Sequence, residues 1–113
     1  MSAVTVWHDG GCPLCRREIA LMRRLDRRGR IAFVDATDGA CPLDRRAMLA
    51  RFHAQEAGGP LLSGAAAFAA MWRAIPILRP LGLAARDRRV LAVLERLYAI
   101  FLRVRPRLLR WAA

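Results

Sequence analysis

Lysine is absent from this sequence: all 20 basic residues are arginine, set against nine acidic ones, for a formal net charge of +11. Arginine-, alanine- and glycine-rich usage without lysine points to a coding bias, so the charge alone is weak evidence of an anionic partner. Long apolar runs are also missing. The longest uncharged apolar stretch near the end is 97–102, LYAIFL, flanked by Arg96 and Arg103. That falls well short of the roughly 18 residues a membrane-spanning helix requires. The N-terminus has no basic region followed by an apolar core, and a strand-like pattern begins by Val4. No export signal is expected, and the cytoplasm is the expected compartment. Cysteine is scarce, with three in 113 residues. A chain of that length forms one domain with a real core and needs no disulfide staple to fold.

The charge that is present is unevenly spread. Residues 13–30 and 65–113 hold most of the arginines, whereas 31–44 carry only Asp35, Asp38 and Asp44 as charged groups. Residues 3–8 read as a strand through Val4, Thr5, Val6 and Trp7, stopped by Asp9-Gly10-Gly11. Pro13 suits the first turn of a helix, where its missing N–H costs nothing. Leu14, Ile19, Leu21, Met22 and Leu25 predict one buried stripe on that helix, with Arg16, Arg17, Arg23, Arg24, Arg27 and Arg28 on its other faces and Gly29 as its C-cap. Ile31 to Val34 read as a second strand and 35–42 as a loop. A short helix follows at 44–51, then a hairpin from 52–56 through Gly58-Gly59 to Leu61-Leu62, and an alanine-rich helix at 65–74. Pro76 and Pro80 break the segment after it. The longest helix is expected at 88–104, with Val90, Leu94, Leu97, Phe101 and Val104 on one face and Pro106 kinking or ending it.

Strand, helix, strand, helix, hairpin, helix is the order of an α/β sandwich. The opening strand-helix-strand implies a parallel pair with a right-handed crossover, and the hairpin makes the four-stranded sheet mixed. Helices on both faces give a thioredoxin-like, three-layer arrangement. Residues 1–75 would be its core and 76–113 a C-terminal helical extension of the same single domain. Cys12 then falls after the first strand, at the N-terminus of the first long helix. There the unpaired backbone N–H groups and the helix dipole favour a thiolate over a thiol. Cys12 is expected to be the exposed, ionised nucleophile. Cys15, a turn deeper, would resolve the mixed disulfide. Asp9 either forms the turn and caps the helix or takes the Cys15 proton, and the first is favoured. His8 tunes the site or merely ends the strand. Gly10, Gly11, Pro13 and Leu14 shape the turn around the cysteines.

The stretch Trp7-His8-Asp9-Gly10-Gly11-Cys12-Pro13-Leu14-Cys15 resembles the signature of the DCC family of thiol-disulfide oxidoreductases, named for Asp-x-x-Cys-x-x-Cys. Val34-Asp35-Ala36, Phe52-His53, Gly58 and 62–68 resemble later parts of that family, and Tyr98, Phe101 and Arg105 resemble its C-terminal helix. The resemblance implies a thioredoxin-like fold, Cys12 and Cys15 as the redox pair, and Asp9 as the third signature residue. It implies a protein or small-molecule disulfide or thiol as substrate. No bound cofactor is expected, because electrons come from another thiol. His8 departs from the family, where an aromatic residue, often tyrosine, is usual. Thioredoxins proper also hold a cis-proline before the hairpin, and no proline lies between Pro42 and Pro60 here.

Two rival readings stand beside this one. Cys12, Cys15 and Cys41 with His53 or His8 would make a small zinc-binding domain, although the third cysteine and the histidines are isolated rather than closely spaced. Cys41 sits in an echo of the motif, DGACPLD, without its second cysteine. Haem attachment is unsupported, since Arg16 and not histidine follows Cys15. The other functional class is a binding module: residues 88–111, amphipathic and basic, would lie on an anionic membrane surface or a protein partner, against the simpler reading that this helix packs on its own sheet. No aromatic-basic motif supports nucleic-acid binding.

Overall fold

The computed structural model describes residues 3–37 and 44–112. Residues 38–43, which take in Cys41 and most of the expected loop, lie outside the described residues. The elements in chain order are β1 (Val4–His8), α1 (Pro13–Leu25), β2 (Ile31–Asp35), α2 (Arg45–Ala50), β3 (His53–Glu56), β4 (Leu61–Ser63), α3 (Ala65–Arg73), α4 (Arg79–Ala84) and α5 (Arg88–Ala112).

The sheet order is β2-β1-β3-β4. β1 pairs in parallel with β2, from Val4 opposite Ile31 to His8 opposite Asp35, and antiparallel with β3, Trp7 facing His53. β4 completes the hairpin on β3. The fold is therefore α/β with a mixed four-stranded open sheet, the thioredoxin-like arrangement expected from the element order. Alternation along β1 sends its side chains to two cores. Val4 and Val6 join Ile19, Met22, Ile31, Ala54, Ala67, Met71 and Ile75, so α1 and α3 share one face. Trp7 packs with Ala36 and Met48 on the other, under α2.

Local chemistry sets the ends of α1. Cys12 is its N-cap and Pro13 its first residue. Its C-cap is Asp26 rather than Gly29, which falls in the turn beyond. The Asp26 carboxylate accepts from Arg30 N and Ile31 N and so ties the helix end to β2. Leu21 does not belong to the buried stripe: it is 51% exposed, one residue away in sequence from buried Met22 and about 100° around the helix.

Two proline expectations change. Pro80 lies in the first turn of α4, where no N–H is needed, so it starts a helix instead of breaking one. α5 continues past Pro106 to Ala112. Pro106 is exposed, so the carbonyl it leaves without a helical partner can face water.

The inward face of α5 is also rotated from the expected one. Leu97 is 56% exposed, while Tyr98 is buried and Leu94, Phe101 and Arg105 are half-buried. Spacings of four, three and four through 94, 98, 101 and 105 define the stripe. The Tyr98 hydroxyl accepts from Phe52 N at 2.7 Å, and its ring meets Phe68 edge-on at 5.6 Å. One turn earlier, Glu95 ion-pairs with Arg51 and accepts Ala65 N at 2.9 Å, which caps α3 from another helix. Side chains beyond Arg107, including Leu108, Leu109 and Trp111, lie outside the described ones. Among the described residues no helix is long and apolar enough to cross a membrane.

Candidate functional site

β1 ends at His8, and three residues turn the chain into α1. The Asp9 carboxylate accepts from Gly11 N at 2.9 Å, and the Asp9 carbonyl accepts from Cys12 N at 3.2 Å. Asp9 therefore shapes the turn, while the cap itself is Cys12. Gly10 donates its N–H to Asp35 Oδ1 at 3.2 Å across the β1–β2 pair. A Cβ at Gly10 would lie 1.8 Å from Asp35 Oδ2, so only glycine allows this approach. Asp35 is fixed from the other side by Thr37, through its backbone N–H at 2.9 Å and its hydroxyl at 2.6 Å. Those bonds hold its carboxyl below the ordinary value.

Cys12 adopts extended backbone angles, and its Sγ accepts the Cys15 N–H at 3.3 Å. Arg16 N donates to the Cys12 carbonyl at 2.9 Å, the first regular helical bond. Capping turns the sulfur inward over the first turn. Cys12 is accordingly 3% exposed, against the expectation of an exposed nucleophile, and it is Cys15 that is half-buried. Both are free thiols in this structure.

Their acidities diverge. Burial pushes the Cys12 thiol up, but the side-chain and backbone hydrogen bonds from Cys15, with the Arg105 guanidinium, outweigh it, and the net shift is downward. Burial and the hydrogen bond to Cys12 push the Cys15 thiol up to about 12, against a smaller opposing pull from Arg105. The first sulfur is poised to carry the charge and the second to keep its proton.

The cation responsible is not on α1. Arg16 and Arg17 are exposed. Arg105, from α5, pairs with Asp9 Oδ2 at 3.0 Å and points a guanidinium nitrogen at Cys15 Sγ, 3.7 Å away. Sequence reasoning gives Arg105 no role at the site. The available signal is its position seven residues after Tyr98, two helical turns along one face.

A cavity of about 30 Å³ opens beside the pair, large enough to admit water and too small for a peptide. Cys15, Glu18, His8, Phe68, Tyr98 and Arg105 are among its walls. Burial, with Arg23 adding to it, lowers the His8 imidazole against the pull of Asp35 and Asp9. His53 is buried at the start of β3, and among the described residues neither its Nδ1 nor that of His8 has a hydrogen-bond partner. Among the described residues no group of three or more His, Cys, Asp or Glu is arranged to hold a metal ion. Cys41, the third sulfur of the zinc alternative, lies outside them. Ahead of β3, where thioredoxins carry a cis-proline, the backbone N–H of Phe52 is taken by Tyr98, and among the described residues no peptide bond is cis.

The family model described as DCC1-like thiol-disulfide oxidoreductase matches residues 6–111. No curated protein and no solved structure gives a match.

Proposed function

We propose, for a chain that belongs to the DCC1-like thiol-disulfide oxidoreductase family, a two-cysteine exchange in which Cys12 attacks and Cys15 resolves. The Cys12 thiolate attacks one sulfur of a substrate disulfide, a mixed disulfide forms, and the other substrate sulfur leaves as a thiolate. Cys15 then loses its proton and attacks Cys12 Sγ. The Cys12–Cys15 bond forms, the mixed disulfide breaks, and the second substrate thiolate departs. The cysteine pair is oxidised by two electrons and the substrate disulfide is reduced by two. Run backwards, the same steps oxidise a substrate dithiol.

One observation carries this reading: the Cys12 sulfur caps α1 and accepts the Cys15 N–H at 3.3 Å, so the nucleophile faces the helix N-terminus with its resolving partner within reach. Asp9 and Arg105 hold each other across the pair. Arg105 thereby places a fixed positive charge beside whichever sulfur is anionic. His8, Gly10, Gly11, Pro13 and Leu14 form the turn and its flanks. Because Cys12 is 3% exposed, attack requires a local opening of its cover.

Trapping tests the scheme. A Cys15→Ser variant should accumulate a mixed disulfide with its protein or small-molecule partner, and a Cys12→Ser variant should not. A wild-type chain that never passes between dithiol and disulfide in a glutathione redox titration would refute it.

A further inference from the structure

The resolving step releases a proton that needs an acceptor. Cys15 holds its proton tightly, and Asp9, the acidic member of the motif, is committed to Gly11 N and Arg105. The carboxyl group one turn further along α1 is not. Glu18 follows Cys15 by three residues, on the same helix face. It lines the same small cavity as Cys15. It also lines the open apolar groove between α3 and α5, beside Trp72, Leu94 and Leu97. Glu18 is thus a wall shared by the cavity that Cys15 lines and by the groove that opens outside. Among the described residues no ion pair or hydrogen bond holds it. Two other ionisable groups on the cavity are paired, Arg51 with Glu95 and the Tyr98 oxygen with the Phe52 N–H, while His8, on β1, has no partner for its Nδ1 among the described residues and is the competing acceptor.

We propose that Glu18 is the base that takes the Cys15 proton during resolution and hands it to the groove. This rests on the two-cysteine exchange above. In the step, the Cys15 S–H bond breaks and its proton moves to the Glu18 carboxylate, directly or through one water in the cavity. The sulfur lone pair forms the bond to Cys12, and the electron pair of the mixed disulfide leaves on the substrate sulfur. Glu18 then loses the proton to solvent. Burial raises the Glu18 carboxyl above its ordinary value, which narrows the gap to a thiol.

The test uses the full chain in a Cys41→Ser background, so that only the pair reacts, with a chromogenic aromatic disulfide in single turnover. Cys12 releases one coloured thiolate and Cys15 a second. In Glu18→Gln the ratio of second to first rate should fall about tenfold or more. The second rate in the wild-type background should show an inflection above the usual carboxylate range, and this should vanish in Glu18→Gln and return, displaced, in Glu18→Asp. An unchanged ratio in Glu18→Gln, an inflection that follows His8→Gln instead, or a background protein whose second rate climbs without inflection to the thiol range would each overturn the proposal. The last needs no Glu18 variant to fold. Absence of the first release would sink the exchange itself. A first release with a Glu18-independent second would sink only the role of Glu18.

Discussion

Arg105 pairs with Asp9 across 96 positions of chain, at 3.0 Å, and brings the last helix into contact with the cysteine turn. The guanidinium favours the Cys12 thiolate and is itself held charged by the anions around it, which outweigh its burial. Removing it in Arg105→Ala should move the alkylation profile of Cys12 to higher pH and slow alkylation at neutral pH by roughly tenfold. Because the thiolate is the reduced form, losing its partner should also make the pair harder to reduce, seen as a more negative potential against glutathione. An unmoved profile would remove Arg105 from the site.

Tyr98 is a structural counterpart. Tyr98→Phe keeps the ring against Phe68 but strips the acceptor from Phe52 N–H. A part-buried amide left unpaired should cost about 1–3 kcal/mol in urea unfolding. Tyr98→Ala should cost more, since the ring contacts go with it.

Gly10→Ala should be destabilising by about 1–3 kcal/mol, because the new Cβ and the Asp35 carboxylate cannot share the space. The loss should appear as a lower melting temperature. Asp35→Asn in the same chain should not restore it, since the amide occupies the same volume.

Stability should fall at both ends of the pH range. The Asp35 carboxyl is depressed by its Thr37 bonds, and at Glu95 the Arg51 and Ala65 bonds outweigh burial to the same effect. In each case the unfolded chain binds the proton more tightly. The contribution is present above the ordinary carboxylate values and disappears as pH drops through the folded ones. Cys15 works in the opposite sense. Its thiol is raised to about 12 in the folded chain, so its contribution is complete below about 8.5 and is lost as pH climbs from there towards 12. Melting temperatures from pH 8 upward should therefore decline more steeply in the wild type than in Cys15→Ser.

Much of this architecture is legible in the sequence, and the reasons differ by element. β-branched residues 4–6 before a glycine turn announce β1, and a proline right after Cys12 announces α1. The element order then forces a mixed sheet. What escapes such reading involves polar groups that face inward. By hydropathy, which counts carbon, α5 should bury Leu97. The face that docks instead carries Glu95, Tyr98 and Arg105, each bonded to a partner far away in sequence. Cys12 is expected outside because helix ends usually are, yet a sulfur that serves as its own cap has to fold inward. In sequence Glu18 is one charge among many in an arginine-rich helix, and only the cavity beside Cys15 distinguishes it.

The bonds from Glu95 to Ala65 and from Tyr98 to Phe52 have an implication for how the molecule comes into being. Two amides, one just ahead of β3 and one opening α3, have their partners on α5, and so does the charge balance of the cysteine turn. A polypeptide emerging from the ribosome displays its two sulfurs long before the arginine that tunes them has been synthesised. Until α5 arrives, the nascent thiols lack the arginine's share of the stabilisation, so the reactive centre reaches its final acidity only after Arg105 has been made.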